Sequence, residues 1–303
     1  MDIIHIGKMI GHLREQAEMS MEDLAYDIIS TVTLWRIETG RMMPSKKKQD
    51  LLFERLGVNP SSLNTIFVNN EGANIHMLKD KLDSYLVLKN VEAASDIISK
   101  LESDMKFMAD KRNHQYVLAA KATNAVHMGV SPGEAVEMFT RAMVTAWNVF
   151  SMEKIEKYYL TKIDFTIIDA IALQYFALGE HDQAVQMLYG LKKNVEKNCI
   201  DKIERGIRYP LIIFNLTSFL FNMGKHKDVI ALCDEGRRVC LDTGYLMRLP
   251  NIMYNKARSL FEIGEAGECE QILREVFYAY GLLERQADAA IIKNYASKRS
   301  IVL

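Results

Sequence analysis

Ser20-Met21-Glu22-Asp23-Leu24-Ala25 and, after a short connection, Ser30-Thr31-Val32-Thr33-Leu34-Trp35-Arg36-Ile37-Glu38-Thr39-Gly40 decide how this 303-residue chain is read. Each segment opens on a serine, whose side chain accepts a backbone N–H of the first turn, and the acids after Ser20 suit a positive helix end. The first segment predicts a short helix carrying Leu24 and Ala25 inward. The second predicts a helix with Leu34 and Ile37 buried, stopped at Thr39-Gly40.

Upstream, Ile3, Ile6, Ile10, Leu13 and Ala17 recur at helical spacing and break at Glu18-Met19. Downstream, Pro44-Ser45 opens a fourth helix through Leu51, Leu52 and Leu56, closed by Gly57, and Asn59-Pro60-Ser61-Ser62 starts a fifth. Five short helices with a tight connection between the second and third describe a helix-turn-helix domain. Leu13-Arg14, Ser20 to Ala25, Arg36 to Gly40, Pro44-Ser45 and Leu56-Gly57-Val58 together resemble the Xre/Cro-type helix-turn-helix. Two departures stand out. The connection Asp27-Ile28-Ile29-Ser30 is one residue shorter than the usual pattern, a trait shared with Rgg-like peptide-sensing regulators. Met21 also occupies the place where the family often has a phosphate-contacting Gln.

In such a domain the N-terminal residues of the third helix reach base edges in the major groove. Thr31 and Thr33 offer hydroxyl and methyl groups, Val32 offers apolar contact, and Arg36 lies one turn further on. Trp35 is assigned equally to packing and to DNA contact. Residues 1–60 hold eight Lys+Arg against nine Asp+Glu, so the head is not basic as a whole. Its positive charge is concentrated in Arg36, Arg41, Lys46, Lys47 and Lys48, opposed in that stretch only by Glu38, and suits backbone phosphates. Arg14 and Glu38 sit where the resemblance implies a fold-locking ion pair.

The remainder repeats itself. Tyr85 to Ala94 aligns without gaps on Tyr175 to Ala184; Phe221 to Asp228 and Phe261 to Glu268 follow the same plan, and His127 to Ala135 does so with one inserted residue. The turn positions Lys89, Gly129, Gly179, Gly224 and Gly264 are 40, 50, 45 and 40 residues apart. Each unit reads helix, tight turn, helix, which predicts an α-solenoid of about five helix pairs. The Leu/Met-Gly-x-x-x-x-Ala core resembles the tetratricopeptide repeat. The expected fold is therefore all-α: a five-helix helix-turn-helix domain over 1–68, a polar linker or helix cap over 69–74, tetratricopeptide-like repeats over 75–281, and a capping helix over 282–303.

In tetratricopeptide proteins resembling this one, Asn and Arg on the first helix of each pair hold an extended peptide. Asn215 and Asn255 both lie nine residues before a turn glycine, and Pro210 and Pro250 read as first-turn prolines of their helices. Phe214, Ser218, Phe221 and Asn222 share one face; Asn251, Tyr254 and Arg258 share the equivalent face, and Asn124 and Phe176 continue it. An amide both donates and accepts, so it serves a peptide unit without reading its side chain. The same asparagines also suit hydrogen bonds between helices.

Thirty-eight Lys+Arg against 39 Asp+Glu, with 49% hydrophobic residues, exclude a uniformly basic coat protein and a disordered chain. The richest apolar run, Leu211 to Phe221, is interrupted by Asn215, Thr217 and Ser218, too short for a membrane span. The N-terminus lacks the order of a signal peptide. Cys199, Cys233, Cys240 and Cys269 have no metal-site spacing and read as reduced core thiols of a cytoplasmic protein. No phosphate-loop, dinucleotide, nucleophile-elbow or zinc-protease motif occurs; the seven histidines form no ligand set, and Asp164 and Asp169 no acid–base pair, so no enzyme, metal or cofactor is expected. Taken whole, the chain resembles the Rgg/PlcR/PrgX group of peptide-pheromone-responsive regulators of Gram-positive bacteria. That resemblance implies a homodimeric transcription factor that binds double-stranded promoter DNA and a short signalling peptide, with no membrane partner. Two other readings remain: a repressor whose repeats only dimerise, and a repeat adaptor that inhibits a protein partner.

Overall fold

The computed structural model describes residues 3–56, 70–199, 201–301 and 303. The chain divides into two compact units, Met1–Leu101 and Glu102–Leu303. Helices account for its regular structure, and no strand occurs among the described residues.

In the first unit α1 (Ile3–Gln16), α2 (Met21–Ala25), α3 (Thr31–Glu38) and α4 (Lys46–Arg55) enclose a small core of Ile10, Leu24, Ala25, Leu34, Ile37, Leu52 and Phe53. Both serines cap as their positions predict: Ser20 accepts the Asp23 N–H at 3.0 Å, and Ser30 accepts that of Thr33 at 3.2 Å. Between the two helices Asp27 takes a left-handed conformation (φ 58°), which turns the chain within four residues. Arg55, on α4, donates to the free carbonyls of Leu24 (3.2 Å) and Tyr26 at the end of α2. The fifth helix expected from Asn59 lies outside the described residues. The polar stretch read as a linker or cap is, from Asn70, the first turns of α5 (Asn70–Val87), which α6 (Val91–Ser103) follows.

The second unit continues with α7 (Met105–Met108), α8 (Lys111–His127), α9 (Pro132–Ala146), a 3₁₀ turn (Met152–Lys157), α10 (Lys162–Ala177), α11 (His181–Asn198), α12 (Lys202–Asn222), α13 (His226–Thr243), α14 (Leu249–Glu262), α15 (Ala266–Leu282) and α16 (Gln286–Ser297). All five turn positions of the repeat have positive φ: Lys89 at 55°, Gly129 at 90°, Gly179 at 89°, Gly224 at 72° and Gly264 at 91°. Each closes the same way. At Gly179, for example, its N–H donates to Phe176 O (3.1 Å) and the Glu180 N–H reaches back to Tyr175 O (3.0 Å), the double bond of a Schellman cap. The small residue that follows each turn, Ala94, Ala135, Ala184, Val229 or Cys269, is fully buried and lets the two helices of a pair close together.

Consecutive helices pack in sequence from α8 to α16. In addition α8 touches α10, α10 touches α12, and α12 touches α14, whereas α9, α11, α13 and α15 make their main contacts with their sequence neighbours. Within this unit the first helices of the pairs thus form the tighter, inner layer. One continuous core runs from Ala119 to Ile252 and a second lies under α14–α16. Pro210 departs from expectation. It sits inside α12, which begins eight residues earlier on an Asp201 cap that accepts the Glu204 N–H at 2.8 Å, while Pro250 is a first-turn proline as expected.

Candidate functional site: a nucleic-acid interface and a ligand groove

On α3, Leu34 and Ile37 are fully buried, which turns Thr31, Val32, Trp35 and Arg36 outward; Val32 is 57% and Trp35 40% exposed. The Thr33 hydroxyl is paired with Ser30 Oγ at 2.8 Å, so it is held at the cap. Trp35 does not pack into the core. The Arg41 guanidinium lies 4.6 Å from its ring centroid, extending the cationic surface over an aromatic plate.

Glu38, the acid within the basic stretch, is fully occupied elsewhere. Arg14 grips it with two bonds of 2.7 and 3.0 Å, and the pair is nearly buried. Its carboxylate raises the Arg14 pKa further. Arg36, Arg41, Lys47 and Lys48 are therefore exposed cations that Glu38 does not neutralise, while Lys46 is shared with Asp50 at 2.8 Å. Met21 packs against the head core.

In the second unit the side of α12 left uncovered by its neighbours carries Ile203 (66% exposed), Ile207 (39%), Leu211, Phe214, Ser218 and Asn222, all at three- or four-residue spacing. Leu173 of α10 is 38% exposed, and Asn251, Tyr254 and Arg258 of α14 are partly exposed. Ile203 and Ile207 lie before Pro210, where the sequence predicts the helix to start, and their spacing from Leu211 is the signal that finds them.

The expected peptide-binding asparagines are placed differently. Asn215 is buried, and its amide donates to Asp169 of α10 at 2.8 and 3.1 Å. Asn255 is buried too and donates to Thr217 Oγ1 (2.9 Å), Ser218 Oγ (3.0 Å) and Phe214 O (3.3 Å) of α12. The repeated asparagine is thus a rung that ties each first helix to the previous one, and its donors are not open to a ligand. Asn124 is likewise buried. Phe176 is stacked between Phe219 (3.9 Å) and His181 (4.3 Å), which gives that turn histidine a packing role.

Two buried carboxylates behave oppositely. Burial pushes Asp164 up, but donors from Trp147 Nε1, Gln115 Nε2 and Thr161 outweigh it and hold the group below the usual range, with Arg112 at 2.9 Å. Asp169 is pushed up by burial to about 6, restrained by the Asn215 hydrogen bond and the Arg248 charge. Both join helices and neither faces a reactive partner. No group of metal-binding side chains occurs among the described residues, and none of their helices is long and apolar enough to cross a membrane.

A helix-turn-helix head followed by a helical-repeat array is the class that this fold defines. Its solved counterparts are specific. The chain is similar to Bacillus thuringiensis PlcR in complex with the peptide PapR7 and DNA, with a TM-score of 0.66 and 13% identity over 95% of this chain and 98% of that one. It is similar to the competence regulator ComR from Streptococcus vestibularis in its apo form (0.53; 17% identity; 99% of each chain). It is similar to the Streptococcus dysgalactiae SHP pheromone receptor Rgg2 (0.57; 12% identity; 97% and 99%). Neither a family model nor a curated protein sequence matches the chain. The all-α fold of these regulators is thus the fold of this chain.

Proposed function

We propose that the chain is a cytoplasmic, peptide-responsive transcription regulator that binds promoter DNA as a homodimer and is not an enzyme. The observation that carries this reading is the whole-length likeness to PlcR, a protein solved with both a peptide and DNA. In this reading Thr31, Val32 and Arg36 meet base edges and phosphates in the major groove, Thr33 fixes the helix start, and Trp35, Arg41, Lys46 and Lys47 hold the backbone. The exposed face of Phe214, Ser218, Asn222, Asn251, Tyr254 and Arg258, with Ile203 and Ile207, receives a short peptide. The buried Asn215 and Asn255 set the spacing of the helices that form this face.

Their engagement also favours a second reading, a repressor whose repeats dimerise and take no peptide. The head is tested the same way in both cases. Binding of the full chain to duplex DNA from upstream of its own gene should weaken with salt, and Lys47→Ala should reduce the slope of log K against log salt by about 0.9. Lys46→Ala should reduce it less, because Asp50 already shares that charge. An unchanged slope for Lys47→Ala would remove that residue from the interface.

A further inference from the structure

We infer that the face shared by α14 and α16 is a carboxylate-binding subsite, where Arg258 and Arg299 hold the C-terminal carboxylate of a bound peptide. The inference rests on reading the groove as a peptide site, and it adds a segment outside the repeats that the sequence marks only as a cap.

Two arginine–aromatic stacks meet here. The Arg258 guanidinium lies 3.7 Å from the Phe221 ring centroid and 5.6 Å from that of Tyr254. Arg299 lies 3.8 Å from the Tyr295 ring and 4.9 Å from that of Phe261. Tyr254 and Tyr295 stand edge to face at 5.5 Å, which sets the stacks side by side. Both arginines act on both tyrosine hydroxyls, against the burial that raises those groups. A guanidinium whose face is covered by a ring keeps its N–H edge for a planar acceptor, the geometry that suits a carboxylate.

That edge lacks an acceptor. Among the described residues no carboxylate lies within ion-pair distance of Arg258, and Arg299 meets Glu262 only at 3.9 Å without a hydrogen bond. Arg299 Nε and the Tyr295 hydroxyl are both buried with no hydrogen-bond partner. Three other half-covered cations of this unit are neutralised: Lys192 by Glu196 and Glu235, Lys256 by Asp234 and Glu268, and Arg208 by Glu204. Buried donors are rarely left unmatched, so this pair reads as awaiting an oxygen. The partly exposed Phe221 continues the face of α12 that carries Ser218 and Phe214, so the subsite adjoins one end of that face. A short peptide fits that combination, since its C-terminus is the one anionic group every peptide carries.

The test uses the full chain and two pools of random heptapeptides lacking Asp and Glu, one with free C-terminal acids and one amidated, with retained peptides read by mass spectrometry. The free-acid pool should be retained about tenfold or more over the amide. Arg258→Gln and Arg299→Gln should lose that preference while still retaining apolar peptides. Tyr295→Phe, which removes only a hydroxyl without a partner, should fold normally and reduce it. Equal retention of both pools by the unaltered chain, or a preference that survives both Gln variants, would overturn the inference. Retention of neither pool would overturn the peptide reading itself.

Discussion

At the scale of single residues, the head is held by a very close approach of α1 to α3. A Cβ placed on Gly7 would sit 1.6 Å from the Ile37 carbonyl oxygen, so only glycine lets the two helices meet. Gly11 lies against the Glu38 side chain, directly beside the Arg14–Glu38 pair. Gly7→Ala should therefore destabilise the head by ~4 kcal/mol or more, seen as an early transition in thermal denaturation. Asp169 makes a different prediction. Its folded pKa of about 6 is raised by burial above the ordinary aspartate value of 3.8, so the stability it contributes is full below about pH 4 and is lost as pH rises through about 6. Asp169→Asn keeps an acceptor for Asn215 and removes the buried charge. It should stabilise the chain at pH 8 by up to about 3 kcal/mol and leave stability at pH 3 unchanged, measured by urea titration at the two pH values.

At the scale of elements, the turns carry the repeat. Lys89 holds a left-handed conformation (φ 55°) that glycine holds at the four equivalent positions. Lys89→Gly should therefore stabilise the chain by about 1 kcal/mol, and Gly179→Ala should destabilise it by a similar amount, both read from denaturation midpoints. These turns were legible in the sequence because local backbone chemistry fixes them: Leu/Met-Gly ends one helix wherever it stands. The serine caps and the buried Leu34 and Ile37 were legible for the same reason, whereas the Arg14–Glu38 pair, 24 residues apart, was legible only through the resemblance to the Xre/Cro-type domain. The start of α12 was not. A proline usually marks a first turn, and here the Asp201 cap nine residues earlier overrides it. Nor could periodicity tell a groove asparagine from an inter-helix one. Asn215 and Asn255 recur at a fixed place in the repeat, but which side of the helix they face depends on how closely the first helices pack. Arg299 over Tyr295 is a local i,i+4 pair, but its meeting with Phe261 and Tyr254 was hidden because it needs α16 folded back beside α14, a contact that no local pattern encodes.

At the scale of the whole molecule, the net charge of −1 conceals a division of labour. Cations that Glu38 does not neutralise cluster around α3 and the start of α4, while Lys192 and Lys256 on the repeat helices are each paired with two carboxylates within the array. Under the proposed function, so few candidate phosphate contacts in one head would make a dimer the natural reader of DNA, two half-sites at a time. A regulator built this way gains control if a ligand that orders the repeats changes the affinity of the heads. Linkage requires the effect to be reciprocal, with coupling typically five- to 150-fold. The most direct measurement is fluorescence anisotropy of the full chain on duplex DNA from upstream of its own gene at about 150 mM salt, with and without a saturating peptide drawn from the retained pool. The account predicts a shift of at least about fivefold in the apparent Kd, in either direction. The same Kd with and without the peptide would contradict it.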